Sequence, residues 1–389
     1  MNNFSRVIIF LLISVSVARS QTSVPVFVSG EEGHESYRIP AIIGLKNGDL
    51  LAFAEGRMHD AGDFGDINLV MKRSTDKGNS WSALTTIVDN DSLQAGNPAP
   101  VVDMMDPQYP DGRIFLFYNT GNNHEGEVRK GKGLREVWYI TSADDGNTWS
   151  PPVNITTQVH RPRQPHLHSD YNFPEDWRSY ANTPGHALQL TDGKYRGRIF
   201  VPANHSAGDP REDFSDYAAH GFFTDDHGKS FHLGESVNVK GSNESTATNL
   251  ADGTLMMNMR NQHGDVRARL VALSRTGGQR WDTTYFDKRL PDPICEGSIL
   301  TIGKKKGKNI IAFSNAADTE NRDNLSVHIS FDDGKTWAKN IVVDKAPSGQ
   351  EKNHAAYSDL VKLGRKEIGI LYESKDYARI VFTAVRWKP

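Results

Sequence analysis

One eight-residue pattern occurs five times in this chain and constrains its fold more than any other feature. It reads Ser-x-Asp-x-Gly-x-Ser/Thr-Trp in its best copies, which begin at Ser74, Ser142 and Ser330. A looser copy begins at Thr224 and a decayed copy at Ser274. A motif that returns at intervals of tens of residues indicates one supersecondary unit per copy. We therefore expect an array of similar units.

Each copy has the composition of a tight turn that follows a strand. An Asp side chain can accept backbone N–H bonds within a turn, and the following Gly can adopt a positive φ. Strand-like apolar runs precede the copies at residues 67–71, 137–140, 219–223, 269–273 and 325–329. The Asp and Ser residues of these turns are therefore predicted to be structural rather than catalytic.

Further apolar or alternating runs predict the remaining strands, and several of them follow Asn-Gly or Asp-Gly turns. No long stretch has a helical period. Six four-stranded units of roughly 60 residues would fill the chain, slightly more than the usual propeller repeat. The sequence predicts an all-β fold, a six-bladed β-propeller, with residues 21–389 as a single catalytic domain.

The N-terminus has the organisation of an export signal. Arg6 precedes an apolar or small-residue run at residues 7–18, and Ala18-Arg19-Ser20 fits a small-residue cleavage site. The run is too short to span about 30 Å of hydrocarbon. We predict a signal peptide at residues 1–20, a secreted or periplasmic protein, and no membrane span after cleavage.

Composition and motifs exclude several functions. With 389 residues and a formal net charge of −3, the chain lacks the positive charge typical of nucleic-acid binding. Cys295 is the only cysteine, so it is predicted to be a buried small hydrophobe rather than half of a redox pair. No His-Glu-x-x-His or glycine-rich phosphate motif occurs, so neither a metal nor a cofactor is expected.

The segment Ser36-Tyr37-Arg38-Ile39-Pro40, taken with the repeated turns, resembles the exo-α-sialidase (neuraminidase) family of bacterial and animal type. The resemblance covers essentially the whole chain after the signal peptide. It implies retaining hydrolysis of terminal α-linked sialic acids through a covalent sialyl-tyrosine intermediate. Sialylated glycans would be its binding partners, and a closed propeller is expected to be a monomer.

Sialic acid carries a carboxylate on its anomeric carbon, and planar guanidinium groups bind such an anion well. The resemblance implies three arginines for this purpose, at Arg38, Arg260 and Arg322. Arg57, in Ala-Glu-Gly-Arg, would contact substituents of the sugar ring instead.

The same carboxylate would repel an Asp or Glu nucleophile, whereas a neutral tyrosine hydroxyl is not repelled. The resemblance implies that the nucleophile is Tyr357. A phenol has a pKa near 10 and needs a base at neutral pH. The implied base is Glu244, with Glu296 as the alternative.

The general acid and base is expected to be a carboxylate on the loop that follows Arg57. Asp63 has the spacing of the family, with Asp60 and Asp66 as alternatives. Other functions of the same fold remain open: a trans-sialidase, an intramolecular trans-sialidase, a hydrolase of deaminated sialic acid, or a non-catalytic glycan- or protein-binding propeller.

Overall fold

The computed structural model describes residues 23–388, so the predicted signal peptide at residues 1–20 lies outside the described residues. Within this range the chain forms 25 strands and two short helices. No helix between residues 23 and 388 is both long enough and apolar enough to cross a membrane.

The strands follow one another in groups. The first are β1 (Val24–Val28), β2 (Ser36–Gly44), β3 (Leu50–Arg57), β4 (Ile67–Ser74), β5 (Thr85–Val88), β6 (Gln94–Asp103), β7 (Arg113–Gly121), β8 (Arg135–Ser142) and β9 (Val153–Asn154). Helices α1 (Glu125–Arg129) and α2 (Thr156–Val159) flank β8 and β9. The middle strands are β10 (Trp177–Asn182), β11 (Leu188–Gln189), β12 (Ile199–Ala207), β13 (Tyr217–Thr224), β14 (His232–Leu233), β15 (Ser242–Asn249), β16 (Leu255–Asn261), β17 (Ala268–Ser274) and β18 (Thr283–Pro291). The last are β19 (Gly297–Lys305), β20 (Lys308–Ala316), β21 (Leu325–Ser330), β22 (Lys339–Asp344), β23 (Ala355–Lys362), β24 (Glu367–Ser374) and β25 (Arg379–Arg386).

These strands form five hydrogen-bonded sheets, and consecutive strands pair antiparallel. Four sheets have four or five strands: β10–β14, β15–β18, β19–β22, and β23–β25 with β1. The fifth has eight strands, β2–β9. Hydrogen bonding gives five sheets rather than the six predicted, because one parallel pair, Ile67 with Gln94, joins β4 to β6.

The sheets surround a common centre in a propeller-like arrangement. The inner strands of neighbouring sheets contact one another, since β15 contacts β12 and β19, and β23 contacts β19 and β2. Strand β1 pairs with β25, with Val24 opposite Phe382, so the last sheet contains both ends of the described chain. The all-β prediction is confirmed.

The repeated turns are closed by their own side chains. In the copy at residues 142–149, the Asp144 carboxylate accepts hydrogen bonds from the Ser142 hydroxyl at 2.7 Å and the Thr148 amide at 2.9 Å. The amide of Gly146 donates to the Ser142 hydroxyl at 2.8 Å, and Gly146 has a φ of 83°. That left-handed conformation explains why glycine recurs there.

The core lies between adjacent sheets, where apolar side chains of their facing surfaces meet. Phe117 of β7 and Phe222 of β13 pack edge to face, with ring centroids 5.5 Å apart. Phe231, the aromatic residue of the turn at residues 224–231, packs on Phe117 at 5.7 Å. The aromatic residue of that turn therefore packs against the neighbouring sheet.

Candidate active site

A cavity of about 260 Å³ lies where the first strands of the sheets converge. All seven residues predicted from the sequence line it: Arg38, Arg57, Asp63, Glu244, Arg260, Arg322 and Tyr357. The tertiary structure thus brings together side chains that are up to 319 positions apart in the sequence.

β-Bulges occur in the strands that carry these side chains. The pairing register shifts between Arg38 and Ala41 in β2, between Ser242 and Ser245 in β15, and between Ala355 and Ser358 in β23. A bulge bends its strand and redirects a side chain. These three bulges lie where Arg38, Glu244 and Tyr357 reach the cavity.

Tyr357, Glu244 and Arg260 form a hydrogen-bonded group in the cavity. The Tyr357 hydroxyl donates to Glu244 Oε1 at 2.5 Å. Arg260 donates to Glu244 Oε2 at 2.6 Å and to the Tyr357 oxygen at 2.8 Å. Burial and the Glu244 charge raise the pKa of Tyr357 well above its usual value, while Arg260 and Arg322 act in the opposite direction. Tyr357 is therefore a neutral phenol at neutral pH, and it is hydrogen-bonded to Glu244.

The other two arginines also approach Tyr357. The Arg38 guanidinium carbon lies 5.7 Å from the centre of the Tyr357 ring, and that of Arg322 lies 5.5 Å from it. Arg38 forms an ion pair with the buried Glu373 at 2.6 Å. Despite burial, which opposes the charged form, Glu373 raises the pKa of Arg38 above its usual value. Three permanent positive charges therefore gather at one side of the cavity.

Asp63 reaches the cavity from the loop between β3 and β4. Its carboxylate lies 2.9 Å from Arg57, and its side chain remains 69% exposed. Burial opposes ionisation of Asp63, but Arg57 and Arg38 outweigh it and lower the pKa of this carboxyl. Arg57 is itself held by Glu55 at 2.7 Å.

The alternative carboxylates considered from the sequence, Asp60, Asp66 and Glu296, do not line the cavity. Asp60 accepts a hydrogen bond from the Gly62 amide on the exposed loop. Glu296 is buried below the cavity and accepts a hydrogen bond from the Ser358 amide at 2.9 Å. Its position leaves Glu244 as the carboxylate in contact with Tyr357.

Cys295 packs beneath the cavity in an apolar cluster with Ile39, Ala356 and Tyr357. It is completely buried, which confirms that prediction. Burial raises the pKa of the Cys295 thiol to about 12, so it is not a nucleophile at neutral pH.

Comparison with known proteins identifies the family. The family model described as a BNR repeat-like domain matches residues 48–370. An exo-alpha-sialidase of Arthroderma benhamiae is 32% identical to the chain, and the match covers 89% of the chain and 79% of that protein. The chain belongs to the sialidase family. It is thus a glycoside hydrolase, and the resemblance noted in the sequence is confirmed.

Solved structures agree on the fold of this sialidase. Hadza microbial sialidase Hz136 superposes with a TM-score of 0.76 at 26% identity, covering 94% of this chain and 68% of that one. A leech intramolecular trans-sialidase superposes with a TM-score of 0.71 at 17% identity, covering 94% of this chain and 70% of that one. The latter likeness concerns the fold alone.

Sequence reasoning missed the cavity wall opposite the arginines. Arg135 of β8 lines this wall and donates to Gln94 of β6. Glu125, at the start of α1, accepts hydrogen bonds from the Tyr217 hydroxyl at 2.5 Å and the Ser179 hydroxyl at 3.1 Å. These residues belong to no repeated motif, so no local signal in the sequence marked them.

Outside the cavity, the described residues contain one group that could hold a cation: Asp103, Asp106 and His227. The His227 ring lies 2.7 Å from the Asp103 carboxylate, and Arg113 lies 3.2 Å from Asp106. Both carboxylates already have partners within the protein, so the group gives no argument for a metal in the reaction.

Proposed function

We propose that this protein is a retaining exo-α-sialidase that hydrolyses terminal α-linked sialic acids of glycoconjugates. The observation that carries the proposal is the hydrogen-bonded group of Tyr357, Glu244 and Arg260 in a cavity where Arg38 and Arg322 also approach the tyrosine ring. A sugar-binding propeller has no need of a tyrosine hydroxyl paired with a carboxylate.

The arginines support binding of the substrate's carboxylate. Arg38, Arg260 and Arg322 carry fixed positive charge, and guanidinium groups bind a carboxylate through paired hydrogen bonds. Binding there would hold the anomeric carbon, C2, over the Tyr357 oxygen. The opposite wall, with Gln94 and Arg135, supplies hydrogen-bonding groups for the rest of the sugar.

In the first half of the reaction, the Tyr357 oxygen attacks C2 while Glu244 accepts the phenolic proton. The bond from C2 to the glycosidic oxygen breaks, and Asp63 donates a proton to the departing oxygen. Since the pKa of Asp63 is lowered in the free protein, we propose that binding of the anionic substrate and exclusion of water raise it.

In the second half, a water molecule attacks C2 of the sialyl-tyrosine, and the Asp63 carboxylate accepts its proton. The tyrosine oxygen departs and recovers a proton from Glu244. Two successive displacements at C2 retain the anomeric configuration. No metal or redox group is needed to balance these steps.

We further propose that the fold counts as six blades, with β2–β5 and β6–β9 as separate blades. The single Ile67–Gln94 pair between them is too small a contact to make them one structural unit. Each half of the eight-stranded sheet also contains its own repeated turn, at residues 74–81 and 142–149, between its third and fourth strands.

The test uses an aryl α-sialoside and follows the first released sugar by NMR. We expect free sialic acid that appears first as the α-anomer. A β-anomer would overturn retention, and a 2,7-anhydro product or transfer to added lactose would instead identify an intramolecular or intermolecular trans-sialidase. A 3-fluorosialyl fluoride should also trap the enzyme covalently, with the added mass on the peptide that contains Tyr357.

A further inference from the structure

Tyr377 contacts two of the three arginines, although no sequence motif marks it. Its hydroxyl accepts a hydrogen bond from Arg322 Nη1 at 3.0 Å. Its ring lies under the Arg38 guanidinium, with the carbon atom of that group 3.9 Å from the ring centre. Tyr377 therefore joins Arg38, from the first repeat, to Arg322, from the fifth, by closer contacts than those of the Tyr357 ring.

The three arginines differ in what orients them. Arg38 has the Glu373 carboxylate at 2.6 Å, and Arg260 has the Glu244 carboxylate at 2.6 Å. Among residues 23–388, no carboxylate lies within ion-pair distance of Arg322. Its hydrogen bonds go to the Tyr377 hydroxyl and to the Ile294 carbonyl, the latter at a long 3.4 Å. The orientation of Arg322 thus depends mainly on a neutral tyrosine.

The backbone that presents Tyr377 is strained. Lys375, Asp376 and Tyr377 have φ values of 56°, 53° and 65°, three consecutive non-glycine residues in the left-handed region. Such residues are costly, and they persist only where the surrounding structure holds them. Strain of this kind concentrates at functional sites.

Neighbouring segments hold the strained turn in place. The Ser29 hydroxyl donates to the Tyr377 carbonyl at 3.0 Å, and the Asp376 amide donates to the Asn353 carbonyl at 3.0 Å. The Asn353 side chain also donates to the Asp376 carboxylate at 3.1 Å. These bonds come from the segment after β1 and from the segment before β23, so the turn is fixed from two sides.

We propose that Tyr377 is a positioning residue, which orients Arg322 through its hydroxyl and Arg38 through its ring so that both guanidinium groups face the substrate's carboxylate. This inference rests on the proposed function and deepens it. A neutral partner leaves the charge of Arg322 unpaired by protein, and that charge is then available to an anionic ligand.

The first test compares Tyr377→Phe with Tyr372→Phe, a matched control. The Tyr372 variant also loses one hydrogen bond, the donation from its hydroxyl to Asp344 at 3.0 Å, but that bond involves none of the three arginines. For an aryl α-sialoside we expect Tyr377→Phe to raise KM about tenfold, and to weaken competitive inhibition by an unsaturated sialic acid analogue by the same factor, with a smaller change in kcat. Tyr372→Phe should leave both constants unchanged.

The second test asks whether Tyr377 acts through Arg322. In an Arg322→Ala background, adding Tyr377→Phe should weaken binding of the analogue by less than twofold, because the hydroxyl no longer has a partner to orient. A tenfold loss that persists in this background, or an unchanged KM in the single variant, would overturn the inference. If the unmodified protein fails to cleave the sialoside, the proposed function fails instead.

Discussion

The cavity and the repeated turns both contain charged side chains, but they use them in opposite ways. In the turn at residues 142–149, hydrogen bonds from Thr148 and Ser142 lower the pKa of Asp144 to about 2. Every oxygen of that carboxylate has a partner within the turn. In the cavity, by contrast, Arg322 has no carboxylate partner among the described residues, and the Asp63 side chain is largely exposed.

This difference separates structural from functional polar groups. A carboxylate whose hydrogen bonds are satisfied by its own turn stabilises the fold but has little left to offer a ligand. A charged group that faces a cavity without full compensation remains available for binding or proton transfer. Substitutions in the two regions should therefore have different consequences.

The largest effect is expected at the base of the cavity. Tyr357→Phe should lower kcat for natural sialosides by about 10³-fold or more, because it removes the proposed attacking oxygen and keeps the ring. Initial rates with sialyllactose and a thermal unfolding curve would test this. Near-normal turnover, or a fall in activity matched by a large loss of stability, would contradict the division between the two regions.

Three buried histidines behind the cavity wall form a third kind of environment, in which His205 and His220 contact each other at 3.1 Å and His220 contacts Tyr180 at 3.3 Å. His160, His205 and His220 are buried near Tyr180, and neither ring nitrogen of His160 has a partner. Burial lowers the pKa of all three, that of His220 to about 3, and Arg161 acts in the same direction on His160 and His220.

Their low pKa values predict loss of stability in acid. The unfolded chain, in which histidine has a pKa near 6.5, binds more protons below that pH than the folded protein does. Stability should thus fall as the pH decreases below 6.5, by about 3 kcal/mol for the three groups together between pH 6.5 and 5.5. Urea unfolding at pH 7.5, 6.5 and 5.5 measures this, and His160→Phe should reduce the slope by about a third. A free energy of unfolding that stays constant down to pH 5.5 would contradict the prediction.

Removing the proposed acid should have a smaller effect that depends on the leaving group. Asp63→Asn should slow cleavage of a sialyl-galactoside by about 100-fold, and that of an aryl sialoside with a good leaving group much less. Parallel rate measurements on the two substrates test this. Equal losses on both would argue against proton donation by Asp63.

The smallest effect is expected in a turn. Asp332 accepts hydrogen bonds from Ser330, and from the amide and hydroxyl of Thr336 at 2.8 and 2.7 Å. Asp332→Ala should lower the free energy of unfolding by about 1–2 kcal/mol, with kcat and KM unchanged. The surface variant Asp111→Ala, whose partner Lys46 is exposed, is the control and should change stability by less than about 0.5 kcal/mol. Loss of activity in Asp332→Ala at temperatures where the variant is folded would contradict the division between structural turns and the functional cavity.

Much of the local structure could be predicted because its causes are local. The run at residues 269–273 lies within β17, and the turn that follows it begins at Ser274. The segment around Arg38 and the repeated turns were enough to indicate the family. The number of hydrogen-bonded sheets was not predictable, because one pair between distant strands, Ile67 and Gln94, changed it.

The sequence by itself determined the repeat, its turn chemistry, the β-strands and the residue types that sialidase chemistry requires. Short-range hydrogen bonding and side-chain patterning are sufficient for these features. Only the tertiary structure decided that Glu244, not Glu296, contacts the Tyr357 hydroxyl, that Arg135 lines the cavity, and that Tyr377 contacts Arg38 and Arg322. Those contacts depend on β-bulges and on the packing of strands that are far apart in the sequence. No local sequence pattern encodes the distance between two such strands.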